Sequence, residues 1–399
     1  MTQHGELILA KGADRRLRTG HVWIYSNEVD TQRSPLGAFE SGQQVTVLGA
    51  SGKPLGTAFI NPHTLICGRI ISRTPERWMT ASLLQQRLAA AEHMRLQRFT
   101  KPYYRLVFGD SDGLPGLVID RFGEAAVVQI SVAGMEVFKA DINDILHKHH
   151  GITRVIFKND GKMRETEGLV SLVESSDDPA LGNLHLEENG VQFEVSVSAG
   201  QKTGWFYDHR LNRAALRPYV KGASVLDVFS YVGGWGIQAG AFGAASVLCV
   251  DSSAAALDLA NHNARLNGLQ DKVSTRCGDA FEVMRDLREN LQKFDVVIVD
   301  PPAFIPRKKD IKVGEAAYTK LNLLALQLLN PGGLLVSASC SMHLQRESLV
   351  DIIRGTARQT DRFVQIVEQG HQGPDHPILP SVPETDYIKA FFVRSLLSL

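Results

Sequence analysis

The chain has no apolar run long enough to span a bilayer, and its opening "MTQHGELILAKGADRR" lacks the extended apolar segment that directs secretion. A cytoplasmic location with no membrane partner is therefore expected. Cysteine is scarce. The four present, Cys67, Cys249, Cys277 and Cys340, form no CxxC pair, which argues against both a disulfide framework and a structural zinc site. No metal is expected. Net charge is absent too, at a formal +0, so the chain does not bind nucleic acid by bulk charge alone. No internal repeat and no low-complexity tract interrupts the 399 residues.

What is present describes an ordinary globular chain of two or three domains, 44% apolar and 22% charged. Its charge is unevenly placed. Through Arg105 there are 14 Lys and Arg against 7 Asp and Glu, so the remainder carries the opposite excess. A basic end of this kind is a candidate footprint for phosphates, or simply a solvated surface.

Residues 1–75 alternate short apolar runs with turn signals ("ELILAKG", "QQVTVLGASGKPLGTAFINP", "LICGRIISR"), which predicts a small all-β module. From Thr80 the spacing becomes helical in "ASLLQQRLAAAEHMRLQRF". Residues 76–180 continue with two strands around "GDSDGLPG", a helix near "EVFKADINDILHKHHG" and a strand at "RVIFKND", a central α+β domain. "VESSDDPALGN" reads as a linker, placing a boundary near residue 180. Residues 181–399 open with a hairpin turning at Asn189 and Gly190. Apolar strands then alternate with helices, so the fold class is α/β, a mostly parallel sheet of seven strands covered on both faces.

The first of those strands ends at Asp227 and leads into "FSYVGGWG". Glycines here let the turn approach a ligand at the carboxyl edge of the sheet, where open α/β folds bind. The dinucleotide fingerprint GxGxxG is missing. An acid before the glycines would repel a pyrophosphate and attract an ammonium group, as in S-adenosyl-L-methionine. Asp251 ends the second strand, where a carboxylate can meet ribose hydroxyls, and Asp279 ends the third, where one can meet an adenine amino group. Each acid alone is more often a turn or cap residue than a ligand contact; their common register favours a binding edge. The fourth strand ends in "DPPAF", whose prolines hold Asp300 and the Pro301 carbonyl rigidly at the same edge.

Asp227, the glycine turn, Asp251, Asp279 and "DPPAF" resemble the class I S-adenosylmethionine-dependent methyltransferases. With "QKTGWFYDHR" added, the pattern resembles the bacterial ribosomal RNA large subunit methyltransferase I family, which makes 5-methylcytidine in 23S ribosomal RNA. The likeness runs through the whole chain: "LILAKG" and "GHVWIYSNEV" are similar to that family's RNA-binding PUA domain, and "GDSDGLPGLVIDRFG" to its central domain. Two positions, Trp235-Gly236 and Ala303, depart from residues common in the family. The resemblance implies that Phe229, Ser230, Tyr231, Gly233, Gly234 and Pro301 line the cofactor with the three acids. It also implies that Lys202, Thr203, Gly204, Asp208 and Arg210 close the pocket. Lys11, Arg15, Arg16 and Arg18 would hold phosphates of an RNA partner, 23S rRNA or a large-subunit assembly intermediate. A homodimer is left open.

Cytosine C5 is a weak nucleophile and needs a thiolate at C6 before it can attack a methyl sulfonium. Cys340, in "SASCSMHL", ends the strand expected beside the Asp300 strand, where related RNA C5 enzymes resemble this chain in carrying their nucleophile. Catalysis is thus assigned to Cys340 and Asp300. Free cysteines are more often small buried hydrophobes, the reading taken for Cys67, Cys249 and Cys277. If Cys340 were structural as well, the alternative is a guanine N2 or N7 methyltransferase of the same architecture. A nicotinamide-dependent oxidoreductase and a silent RNA-binding protein are the readings from other classes.

Overall fold

A computed structural model describes residues 5–175, 181–198 and 200–397. The chain divides into two compact units: Met1–Leu184 with Ser196–Trp205 and Pro374–Thr385, and His185–Val195 with Phe206–Gly373 and Asp386–Leu399.

The first unit holds two five-stranded sheets. One orders Gly5–Ile8, Gln44–Leu48, Pro54–Ile60, Gly68–Ser72 and Trp23–Ile24 around a core of Leu7, Ile24, Val45, Val47 and Ile60. The other orders Leu172–Ser175, Arg154–Asn159, Ala125–Ile130, Leu117–Phe122 and Tyr103–Phe108. Its core includes Leu84 and Leu88 of the helix Ala81–Leu96, which starts at Thr80, whose hydroxyl accepts from Leu83 N at 3.2 Å.

The acidic turn "GDSDG" ties this unit together. Asp110 accepts from Trp23 Nε1 at 3.1 Å and lies 3.5 Å from Arg69, while Asp112 takes both ends of the buried Arg95 guanidinium at 2.7 Å. The turn thus links the N-terminal sheet to the central one, and both expected modules fall in one unit.

Two expectations need correction. "LVIDRFGEAAVVQI" forms two strands because Gly123, at φ +68°, allows a tight reversal; the segment from Tyr103 therefore holds three strands, not two. The start of the expected linker is itself a strand, Leu172–Ser175, paired antiparallel with Arg154–Asn159. It is a short edge strand, so burial leaves little trace in its sequence. The boundary near residue 180 lies at positions 176–180, outside the described residues.

The second unit carries the alternating sheet. Its strands are β1 (Ser224–Val228), β2 (Ser246–Asp251), β3 (Val273–Cys277), β4 (Phe294–Val299), β5 (Leu329–Ser339), β6 (Arg362–Gly370) and β7 (Lys389–Leu397). They lie in the order β3-β2-β1-β4-β5-β7-β6. The first five run parallel, and β7 is antiparallel to both β5 and β6.

Helices α1 (Gly234–Ala241) and α2 (Ala254–Leu266) pack together, and α4 (Ile311–Leu328) packs between α3 (Ala280–Glu289) and α5 (Arg346–Gln359). Because β1 and β4 are buried between helices, they read as mostly apolar runs, broken by Asp227 in β1 and Asp295 in β4. The order reverses between β1 and β4, which opens a crevice at their carboxyl ends. Ahead of the sheet, the hairpin Asn183–Glu188 and Val191–Ser196 turns at Asn189 (φ 56°) and Gly190 (φ 85°).

Candidate active site

Five expected residues meet at this carboxyl edge: Asp227, Asp251, Asp300, Pro301 and Cys340. Between β1 and α1 the backbone takes positive φ at Phe229 (64°), Tyr231 (51°) and Gly233 (85°). Two non-glycine residues in that region store strain that the surroundings must hold. Asp251, half-buried, accepts from Tyr231 N and Ser253 N at 2.9 Å each, while Ser230 N donates to Val250 O at 3.0 Å and Gly233 N to Ser230 O at 2.8 Å. Gly234 is the first residue of α1.

Asp227 is completely buried beneath this loop, with Oδ2 accepting from Gly236 N at 2.8 Å. Its Oδ1 has no protein partner among the described residues. Desolvation above all, with the Asp300 and Asp251 charges adding, raises its pKa to about 7. A buried carboxylate oxygen lacking a donor, under a loop bent for close approach, fits a cationic ligand such as the ammonium of S-adenosylmethionine.

Gly236 has no room for a side chain. A Cβ there would lie 2.6 Å from Cys249 Sγ and 3.0 Å from Asp227 Oδ2. Gly236→Ala is therefore expected to push the loop off Asp227 and lower cofactor affinity at least tenfold, a loss measurable by calorimetric titration with S-adenosylmethionine. Unchanged affinity would show that the loop does not touch the cofactor. Cys249, fully buried, is the packing surface expected for it, and its thiol is raised well above the ordinary value by desolvation. Cys67 is likewise buried and pushed up to about 12.

Asp300 is held by the Trp235 ring and lies near the His209 ring, neither of which was assigned from the sequence. Trp235 Nε1 donates to Oδ2 at 2.9 Å, and His209 Nε2 lies 3.4 Å from Oδ1. The Asn212 amide is 3.0 Å from His209 Nδ1; as a donor it makes that nitrogen the acceptor and leaves the ring proton on Nε2, facing Asp300. His209 was legible only as part of a quoted motif, since no local spacing pairs it with a residue in β4's loop. Trp235 departs from the family pattern and has a direct task.

After Asp300, Pro301 is buried, while Phe304 contacts the rings of Phe229, Phe281 and Tyr318, with centroids 5.0–6.2 Å apart. The loop is pressed onto Gly314 of α4, where a Cβ would collide with Ile305 and the Phe304 carbonyl.

Cys340 follows β5, half-buried, with Sγ 3.9 Å from the Pro301 carbonyl. Both neighbouring serines are fully buried and their hydroxyls meet the Tyr318 hydroxyl, Ser339 at 2.8 Å and Ser341 at 2.9 Å. Ser341 Oγ also accepts from Ile305 N at 3.3 Å. "SCS" is therefore tied to Ile305 of the loop that follows "DPP", with the thiol on the side of the Pro301 backbone.

Other expected residues are placed differently. Asp279 is exposed and caps α3, accepting from Glu282 N at 3.1 Å. Cys277, expected in the core, is exposed because β3 is the sheet's edge strand. Lys202, Thr203 and Gly204 belong to the first unit, where Lys202 is exposed with φ 49° and Thr203 donates to Asp120 at 2.5 Å. Asp208 and Arg210 are buried in the second unit: Asp208 accepts from Tyr387 at 2.8 Å, and Arg210 lies 3.4 Å from Glu188. Arg16 forms a bidentate pair with Glu28, and Arg18 pairs with Asp14 at 2.6 Å, leaving Lys11 and Arg15 exposed.

The sheet order, the strained turn over a buried acid and the Asp300 loop define an S-adenosylmethionine-dependent methyltransferase. The family model of that description matches residues 170–394, and a PUA-like domain model matches residues 7–73. The chain belongs to the ribosomal RNA large subunit methyltransferase I family. It is 36% identical over 397 residues to the member from Erwinia tasmaniensis, covering 97% of this chain and 98% of the relative. Against the member from Escherichia coli O157:H7 it is 35% identical over 395 residues, with the same coverage. Among solved structures, a Streptococcus mutans chain assigned to the S-adenosylmethionine-dependent methyltransferases superposes with a TM-score of 0.81 at 20% identity, over 98% of this chain and 100% of that one. A methyltransferase complexed with S-adenosylhomocysteine superposes equally well at 19% identity. No helix among the described residues is long and apolar enough to cross a membrane.

Proposed function

We propose that this methyltransferase forms 5-methylcytidine in large-subunit ribosomal RNA, by way of a covalent bond between Cys340 and cytosine C6. The observation that supports it is the placement of a half-buried thiol 3.9 Å from the carbonyl of Pro301, the residue after the acid that Trp235 holds. An N-methyltransferase has no use for a thiol at that point. The relatives' shared name supplies the RNA class.

When bound, S-adenosylmethionine supplies an electrophilic methyl group. Asp227 and the loop that Asp251 fixes hold its amino acid and ribose portions. The Cys340 thiolate adds to C6, which moves the ring's electron density onto C5 and N3. Asp300 holds the exocyclic amino group, or a proton at N3, as that charge develops. C5 would then take the methyl group as its bond to the sulfonium sulfur breaks and S-adenosylhomocysteine leaves; loss of the C5 proton to a base and cleavage of the Cys340–C6 bond would restore the aromatic ring and the thiolate. The target cytosine must leave any stack to reach the thiol.

The N-terminal module, through Lys11 and Arg15, and a basic run the sequence reading passed over would grip the flanking phosphates. Lys308, Lys309 and Lys312 are all exposed, a few residues beyond Asp300. Replacing the three by Gln is expected to weaken RNA binding and reduce the slope of log affinity against log salt by about 2. An unchanged slope removes this run from the interface.

Nucleoside mass spectrometry of large-subunit RNA from cells with and without the gene tests the chemistry. A 5-methylcytidine absent only from the deleted strain is expected. Loss of a methylguanosine with every methylcytidine intact would replace the C5 reading with the guanine one and make Cys340 structural.

A further inference from the structure

A buried lysine lies behind the turn that carries Cys340. Lys389 of β7 stands opposite Ser339 of β5 and is 6% exposed. Its Nζ donates to the Ser341 carbonyl at 2.8 Å and to the Tyr387 carbonyl at 3.1 Å. Two carbonyls satisfy donors without neutralising a charge, and burying an ammonium on those terms is costly.

Holding the turn does not require it. Tyr318 already binds both serine hydroxyls, and Ser341 N donates to Ser339 Oγ at 3.1 Å. A neutral donor would serve the Ser341 carbonyl as well. Asp386 and Cys340 both favour the ammonium, and of the two it is Cys340 that sits inside the Ser339–Ser341 turn the lysine holds.

We propose that Lys389 is a positioning residue for the nucleophile: its ammonium fixes the Ser339–Ser341 turn through the Ser341 carbonyl and favours the thiolate of Cys340. This rests on the reading of Cys340 as the nucleophile.

Burial lowers Lys389 to about 8, while Asp386 and Cys340 pull it up and Arg346 pulls it down. Interaction between two titrating groups is reciprocal, so the pull of a Cys340 thiolate on the lysine's proton equals the lysine's pull toward thiolate. Arg346, bound to the Gly370 and Ile388 carbonyls, adds charge of the same sign, and Tyr318 stays neutral up to about 12. The effect on the thiol is present below about pH 8 and fades as Lys389 loses its proton above it.

The test is iodoacetamide alkylation of the full-length protein across pH, with each cysteine followed by peptide mass spectrometry. Exposed Cys277 serves as the internal reference. Half-maximal alkylation of Cys340 is expected at lower pH than that of Cys277. Lys389→Met moves the Cys340 midpoint up by about one unit or more, leaves Cys277 unmoved, and is rescued by Lys389→Arg. A Cys340 midpoint at or above that of Cys277 in the wild type overturns the proposal without any variant. So does an unmoved midpoint in a Lys389→Met protein that still binds S-adenosylmethionine. Alkylation does not depend on methyl transfer. If Cys340→Ala turned over normally while the midpoint still followed Lys389, the catalytic reading would fall and the coupling would stand.

Discussion

Cys340→Ala is expected to lower methyl transfer by three orders of magnitude or more, roughly the scale on which a covalent nucleophile acts, while S-adenosylmethionine affinity stays within about twofold. The argument is by placement among four thiols. Cys67 and Cys249 are buried and pushed up by desolvation, so neither presents a thiolate near neutral pH. Cys277 is exposed, yet it ends β3, four strand positions from β5 in the sheet order. At about 4.8 Å per strand that is roughly 19 Å from Cys340, too far to share a nucleotide.

Cys340 alone combines access with a position next to the Asp300 loop. Cys277→Ala should therefore leave turnover unchanged, and Cys249→Ala should cost stability through the cavity left under Gly236. Turnover at the wild-type rate by purified Cys340→Ala would eliminate the covalent mechanism.

The alternating domain was legible because parallel strands buried on both faces must be mostly apolar, as "SVLDV" and "FDVVIV" are, with one acid in each. Local chemistry marked other features equally well: Thr80 caps a helix, and Asn189-Gly190 supplies the two positive φ angles of a tight hairpin. What escaped notice was made by distant contacts. Nothing near His209 announces that it lies against Asp300, since the fold alone joins positions 91 residues apart in the chain. Nothing in "YIKAFFVRSL" marks Lys389 as buried; the pairing of β7 with β5 buries it. Cys277 goes the other way: the burial tendency of free cysteine predicts core, but β3 has a neighbour on one side only. Strand order, which patterning does not specify, decides exposure in each of these cases.

Asp227→Asn is expected to stabilise the cofactor-free protein and weaken cofactor binding at the same time. In the fold Asp227 titrates near 7, against an ordinary value of 3.8. Between those values the folded protein keeps a proton that the unfolded chain has released, so stability falls as pH rises through that window. At 1.36 kcal/mol per unit, ionising the buried carboxyl costs up to about 4 kcal/mol by pH 8.

Asparagine keeps an oxygen for Gly236 N and carries no charge, so the variant escapes that cost. It also forfeits the charge-assisted hydrogen bond that Oδ1 offers an ammonium, a loss of about 1.5–3 kcal/mol or roughly ten- to a hundredfold in affinity. Wild-type affinity for S-adenosylmethionine should rise with pH up to about 7, because the ionised form binds, while the variant's should lack this component. Thermal unfolding at pH 6 and pH 8, with and without cofactor, separates the two effects. At pH 8 the variant should melt above the wild type without cofactor and gain less from its addition. A variant less stable than wild type at pH 8, or one binding cofactor equally well, would mean that the Asp227 charge serves the fold rather than the ligand. The opposite signs follow from one fact: a carboxylate buried with one oxygen unpartnered is a burden to the empty protein and an asset only to a cation that reaches it.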